Sequence, residues 1–320
     1  MSRALCHLAF RSVRRFAGHI RLDLAAAVVV LLATFPVSAS AAQKGIDTDL
    51  NWGTNSTTQT QTANVVQDSG ATWTRLTISW ADAEPQPGKY SSSYLSALDN
   101  AVSLMQARGV HMEVFVYESP QWETGNANPD TPPANDADFA SFLSTMVSRY
   151  KGKVAAWEIW NEENIQRFWS TGVNAAQYAA LLKAAYPAVK SVDPNALVVF
   201  GGMSLNDYNF LDAAYQAAPD LGQYYDVMAT HPYTLNNAPP DLTLRDANGA
   251  IDPGSFDAYR LVRQVMLNHG DNKPIWFTEF GWSTWSGGVT LAQQAAYLTL
   301  AYQCVEQDSY VQVANWYNLR

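Results

Sequence analysis

The chain has 320 residues, with 20 Lys and Arg against 29 Asp and Glu, a net charge of −9 at neutral pH, and 48% hydrophobic residues. An acidic surface argues against a polyanion such as nucleic acid as partner. A chain of this length buries enough surface to fold without disulfides.

The first 41 residues do not read as part of a fold. Arg3, Arg11, Arg14, Arg15 and Arg21 form a basic leader, Leu24 to Phe35 is an apolar run, and Ala39 and Ala41 form an A-x-A cleavage pattern. That order predicts a secretory signal peptide over 1–41. The alternative is an uncleaved membrane anchor, but a span needs roughly 20 apolar residues and this run is shorter. The expectation is a secreted or periplasmic protein, with no stable membrane insertion after cleavage. Cys6 precedes the apolar run, out of place for a lipid anchor at the cleavage site, and Cys304 is then the lone cysteine of the remainder. That remainder carries 15 basic and 28 acidic residues, a net charge of −13.

From residue 42 onward, short apolar runs alternate with helical patterns. Strands are predicted at 45–50, 72–80, 110–117, 154–160, 196–202, 226–233, 274–280 and 311–317, from their β-branched and aromatic content. Between them fall a polar helix or loop near 57–69 and helices at 94–108, 136–150, 175–192, 210–218, 256–269 and 291–307. Gly109 stops the second, Asn and Asp residues open the third, and Asp193-Pro194 ends the fourth. No linker or low-complexity tract interrupts them, so one domain over 42–320 is expected. Strict alternation implies parallel strands with helices outside, and eight units in this length fit a (β/α)8 TIM barrel. An open doubly wound sheet is the runner-up, disfavoured because no Gly-rich phosphate loop follows the first strand. The sequence ends three residues past the eighth strand, so the barrel is expected to lack its last helix, as a C-terminally truncated fragment would.

In such barrels the working residues sit at the C-terminal ends of the strands. Those ends hold Arg75, then Tyr117 and Glu118 with Trp122 in the loop, Asn161 and Glu162, His231 and Tyr233, Glu279 with Trp282 and Trp285, and Trp316. Two carboxylates, Glu162 and Glu279, ringed by Arg, His, Tyr, Asn and Trp, are what glycoside hydrolysis requires: one protonates the leaving oxygen, the other attacks the anomeric carbon. The segment WEIWNEEN (157–164) holds two further glutamates. Glu158 lies within the strand and reads as a structural partner inside the barrel or at its base, and Glu163 reads as a solvated loop charge. Beyond the leader, His111, His231 and His269 fall on scattered elements, unlike a zinc or iron ligand set, so no metal and no cofactor are expected. Ser119 and Ser204 lack a nucleophile-elbow context. Trp122, Trp169, Trp282 and Trp285 are each either sugar-stacking walls or ordinary core. Asn55-Ser56-Thr57 is a glycosylation sequon by pattern.

The segments WEIWNEEN, THPY (230–233), WFTEFGWS (276–283) and NWYNLR (315–320), with SWADAEPQPGKYSSSYLSALDNAV (79–102), together resemble the retaining (β/α)8-barrel glycoside hydrolases, nearest to family 39 and family 5-like cellulase-type enzymes. The resemblance covers about 45–320. Asn-Glu after strand four joined to Thr-Glu-Phe-Gly after strand seven is specific, whereas either half alone is weak. It implies that Glu162 is the acid/base and Glu279 the nucleophile. It implies also that Asn161 binds the sugar 2-hydroxyl, Arg75 keeps the nucleophile ionised, Tyr233 orients it with His231 nearby, and Trp316 lies under the sugar. The family often has Pro after Asn-Glu, where this chain has Glu163. The implied activity is double-displacement hydrolysis of a poly- or oligosaccharide. Transglycosylation on the same fold and a non-catalytic carbohydrate-binding barrel are the alternatives.

Overall fold

The computed structural model describes residues 41–48, 50, 51 and 55–319. Apart from Ala41, the basic leader and cleavage pattern lie outside the described residues. Eight parallel strands alternate with seven outer helices: β1 (Gln43–Asp47), α1 (Ser56–Asp68), β2 (Trp73–Ser79), α2 (Ser92–Gln106), β3 (His111–Tyr117), α3 (Asp136–Arg149), β4 (Ala156–Ile159), α4 (Ala175–Val192), β5 (Leu197–Phe200), α5 (Tyr208–Ala217), β6 (Met228–His231), α6 (Tyr259–Asn268), β7 (Ile275–Phe280), α7 (Leu291–Val305) and β8 (Val311–Trp316). A two-residue piece, Met203–Ser204, continues β5 past a Gly-Gly step and pairs with the end of β6, making nine strands in one sheet. Each predicted strand and helix is found, with ends shifted by a few residues.

The sheet is parallel throughout, and β8 pairs with β1. The remaining seam, between β5 and β6, is bridged by backbone bonds from the Phe200 N–H to Val227 and from the Val227 N–H to Val198, so the sheet curls into a (β/α)8 barrel and not an open doubly wound sheet. Six of the seven helices start at a side-chain cap: Asn55, Ser91, Asn135, Asn174, Asp207 and Thr290 each accept a hydrogen bond from a first-turn amide, worth about 1 kcal/mol apiece. The base of the barrel is apolar. Trp73 and Trp276 meet edge-on across it at 4.7 Å, in a cluster with Ala156, Val199, Ala229 and Val313. Among the described residues no helix follows β8, and no helix is long and apolar enough to cross a membrane. Helix α7 is mostly apolar yet buries only Ala301, Cys304 and Val305, and its Leu291 is 74% exposed.

Candidate active site

Above the apolar base the barrel interior turns polar. Arg75, on β2, is fully buried and stacks its guanidinium 3.8 Å from the Phe115 ring. Its Nε donates to Glu158 at 2.6 Å, Nη1 to Asp47 at 3.2 Å and to Glu279 at 2.5 Å, and Nη2 to Asn161 at 2.8 Å. Burial opposes the Arg75 charge, but the carboxylates of Glu158, Glu279 and Asp47 outweigh it and hold the arginine firmly protonated. Glu113 faces the same cation without touching it. Burial and the Glu158 charge push its carboxyl well above the usual range, so Glu113 is the neutral acid of the group, with Asn315 donating to its Oε2 at 3.0 Å.

Glu279 reaches this network through a bulge. From Phe277 to Phe280 strand β7 advances three residues while its neighbour β8 advances two, from Ala314 to Trp316. The extra residue suspends the inward–outward alternation, and consecutive side chains both engage the interior: Thr278 bonds Glu158 at 3.1 Å and Glu279 bonds Arg75. Tyr233 completes the clasp, its hydroxyl donating to Glu279 Oε2 at 2.8 Å. Burial raises the Glu279 carboxyl, but His231, Arg75 and the Tyr233 hydrogen bond outweigh it and hold the group below the usual carboxylate range. Glu279 is therefore an ionised carboxylate with 12% side-chain exposure, oriented and open toward a cavity.

Glu162 approaches from the other side, after β4. The turn that carries it is strained: Trp160 has φ 73° and Glu162 φ 46°, both in the region that disfavours side chains, at about 1–3 kcal/mol each. It is held by the Trp160 N–H to Val116 O, the Glu162 N–H to Gly202 O and the buried Trp160 indole to Phe168 O. His231, on β6, binds Glu162 Oε1 through Nδ1 at 3.1 Å and Thr278 Oγ1 through Nε2 at 3.0 Å. Burial works against its charge, but Glu279 and the bond to Glu162 raise its pKa above the ordinary value. With both nitrogens protonated it donates to Glu162 and to Thr278, whose hydroxyl passes on to Glu158. This close packing needs Gly202, since a Cβ there would collide with His231 Nε2 and Thr278 Oγ1.

One carboxylate oxygen each of Glu162 and Glu279 and one nitrogen of His231 lie within 4.8 Å of one another. By donor type this trio could also hold a divalent cation, an arrangement that histidine spacing alone did not reveal. The cavity that Glu162 and Glu279 face, about 380 Å³, is lined by Asp47, Arg75, Asn161, Glu162 and Glu279, with Phe115, Tyr117, Phe168, Tyr233 and Tyr317 as its aromatic surfaces and Arg167 at its edge.

The remaining candidates are placed differently. Glu163 is fully buried, not solvated, and neither carboxylate oxygen has a hydrogen-bond partner. The left-handed backbone at Glu162 turns the next side chain inward against Gly201, and burial pushes its carboxyl well up, so it is carried as the neutral acid. Trp169 is core, with no exposure and its indole on Gln177. Trp122 lies outside that cavity, its indole N–H on Glu84 O and its edge on Trp80. Trp316 is half-buried against Phe280 and Trp282, and from that strand end it is the neighbouring Tyr317 that lines the cavity. Trp282 is buried, its indole shared by Thr234 Oγ1 and Ala238 O. Sequence reasoning missed Asp47, which the predicted strand 45–50 placed mid-strand though β1 ends at it, and Glu113, an acidic residue inside β3 that carries no signal until the fold sets it against Arg75.

The sequence profile of the cellulase family, glycosyl hydrolase family 5, matches residues 33–319. A protein of Oryza sativa subsp. japonica named as a mannan endo-1,4-beta-mannosidase is 25% identical over 292 residues, 77% of this chain and 68% of that one. Endo-1,4-beta-xylanase A of Phanerodontia chrysosporium is 25% identical over 194 residues, 59% of this chain and 41% of its own. A family 39 glycoside hydrolase from Bacteroides cellulosilyticus WH2 shares the fold at a TM-score of 0.67 and 22% identity, over 88% of this chain and 57% of that one. The chain thus spans little more than two thirds of the first relative and well under two thirds of the other two.

Proposed function

On the premise that the chain belongs to the cellulase family, glycosyl hydrolase family 5, we propose that it is a secreted or periplasmic retaining glycoside hydrolase acting on a poly- or oligosaccharide. The observation that carries this is the carboxylate pair: oxygens of Glu162 and Glu279 lie within 4.8 Å of each other. Retaining enzymes set their carboxyl groups roughly 5–5.5 Å apart, whereas inverting ones leave roughly 6.5–9.5 Å for a water.

The roles follow from the partners. Glu279, ionised and held by Arg75 and Tyr233, attacks the anomeric carbon. Glu162 gives its proton to the glycosidic oxygen as that bond breaks, and the leaving sugar departs as an alcohol. The charge left on Glu162 is accommodated by His231. A water then replaces the leaving group, gives its proton to Glu162 and attacks the glycosyl ester, returning Glu279 as a carboxylate. Two inversions give net retention. Asn161, its carbonyl oxygen tied to Arg75 Nη2, has its amide nitrogen left to donate to a sugar hydroxyl.

Proton NMR of the first product anomer tests the reading. Hydrolysis of a β-glycoside should release the β-anomer first. Release of the α-anomer first would mean inversion and would remove Glu279 as nucleophile.

A further inference from the structure

The loop after β4 runs on past Glu162 to Arg167, which stands at the edge of the cavity. Its side chain is exposed and lies along the Phe168 ring, the guanidinium 4.9 Å from the ring centre. Phe168 in turn meets the Tyr117 ring edge-on at 6.4 Å. The backbone here is fixed: the Ile165 N–H donates to Glu162 O, the Trp169 N–H to Ile165 O, and the Trp160 indole to Phe168 O. A solvated surface charge requires neither an aromatic bed nor a pinned loop.

Two cations line this cavity, Arg75 and Arg167. Arg75 is fully occupied by Glu158, Asp47, Glu279 and Asn161. Among the described residues Arg167 donates no hydrogen bond and makes no ion pair within 4 Å. Asp130 feels its charge from farther away. Elsewhere Arg149, Lys183, Lys190, Arg260 and Lys273 each pair with an aspartate, as expected where acids outnumber bases, 29 to 20. The cavity wall beside Arg167 carries Asp47, Glu162 and Glu279. Such a wall repels an anion unless a cation meets the charge, and Arg167 is the cation left to do so. Its planar fork matches a carboxylate, which it can hold by two parallel hydrogen bonds.

We propose that Arg167 recognises a carboxylate on the substrate, so that the substrate is an acidic glycan with a carboxylate-bearing sugar on the leaving-group side of the bond to be cleaved. The side follows from the chain: Arg167 shares its loop with Glu162, the group that protonates the leaving oxygen. Resting on the glycosidase reading above, this makes Arg167 a specificity residue and leaves the bond chemistry to Glu162 and Glu279.

The test has two arms, each read as a ratio of kcat/KM values for the wild type, Arg167→Gln and Arg167→Lys. In the first, 4-nitrophenyl glycosides bearing a carboxylate at ring position 3, which places the charge on the leaving-group side, are compared with their methyl esters. In the second, glucuronoxylan, with its carboxylate on a branch, and oxidised cellulose, with its carboxylate on the backbone, are each compared with the carboxyl-reduced form, which shows which source the site takes. The wild type should prefer the charged member of at least one pair. Arg167→Gln should lower that preference about five- to tenfold, with Arg167→Lys keeping part of it. The wild-type preference should also shrink in 1 M salt, where the Debye length is about 3 Å, an effect that a purely structural role for Arg167 would not produce. No preference for the charged member in either arm, or a preference that Arg167→Gln leaves unchanged, would overturn the proposal while the hydrolysis itself leaves the glycosidase reading standing. Failure to hydrolyse any glycoside or glycan of the panel would overturn both.

Discussion

Tyr233→Phe isolates one contact on the proposed nucleophile. The tyrosine hydroxyl donates to Glu279 Oε2 at 2.8 Å, and Arg75 holds the other oxygen at 2.5 Å. Phenylalanine fills the same space and removes only the donor. A hydrogen bond to a charged group is worth about 1.5–3 kcal/mol, and His231, 3.8 Å from the orphaned oxygen, is too distant to replace it. The loss falls on the ionised form of Glu279, whose carboxyl is otherwise held low against burial by His231, Arg75 and Tyr233. The acid limb of kcat/KM, which reports ionisation of the free enzyme's nucleophile, should therefore move to higher pH. Well below that limb the variant should be slower by about 10- to 150-fold, the rate equivalent of that energy, while the plateau above it falls far less. The assay is a pH profile of kcat/KM on a 4-nitrophenyl glycoside. A profile that drops by one constant factor at every pH would refute the reasoning, because the hydroxyl would then serve something other than the nucleophile's ionisation.

Glu163→Gln should stabilise the fold increasingly with pH. Burial raises the folded carboxyl, so its contribution is fully present below the unfolded value of about 4.3 and is lost as pH rises through the folded value. The free-energy advantage of the variant in urea unfolding should grow from pH 5 to pH 8, reaching about 1–3 kcal/mol, and a constant difference would contradict a neutral buried acid. Glu113→Gln should leave activity near wild type and stability within about 1 kcal/mol, since a neutral acid becomes a neutral amide. Glu158→Gln should cost about 3–5 kcal/mol, because it uncouples the buried Arg75 and places an amide where the Gly202 N–H and Thr278 hydroxyl also need an acceptor. Urea titrations separate the two, and equal losses would deny the difference in charge. Dialysis against EDTA should leave kcat/KM unchanged, because Arg75, His231 and Tyr233 already hold Glu279 ionised. A loss restored by added zinc or magnesium would make Glu162, His231 and Glu279 a metal site.

Strand positions were legible because each is a short β-branched or aromatic run between turn residues, and the strand ends named much of the chemistry: Asn161, Glu162, Tyr233 and Glu279 line one cavity, with His231 buried behind Glu162, whereas Arg75 reaches the same cavity from inside β2 rather than from its end. Three features were illegible, because they depend on backbone geometry or on tertiary packing that side-chain pattern does not encode. The bulge at Thr278–Glu279 suspends the alternation by which strand faces are read. The left-handed backbone at Glu162 turns Glu163 from an apparent loop charge into a buried acid. The tryptophans sort by packing, so that Trp169 and Trp282 are buried while Trp285 is 83% exposed, a distinction invisible when all three follow strand ends in similar company.

The central claim, that Glu279 forms a covalent bond to the sugar, is tested most directly by mass spectrometry of the intact protein incubated with 2-fluoro glycosides bearing good leaving groups. The account predicts a mass gain of one fluorosugar, mapped by peptide sequencing to Glu279 and absent in Glu279→Gln. A folded, catalytically active protein that acquires no adduct across the panel, or acquires it on another residue, would contradict it.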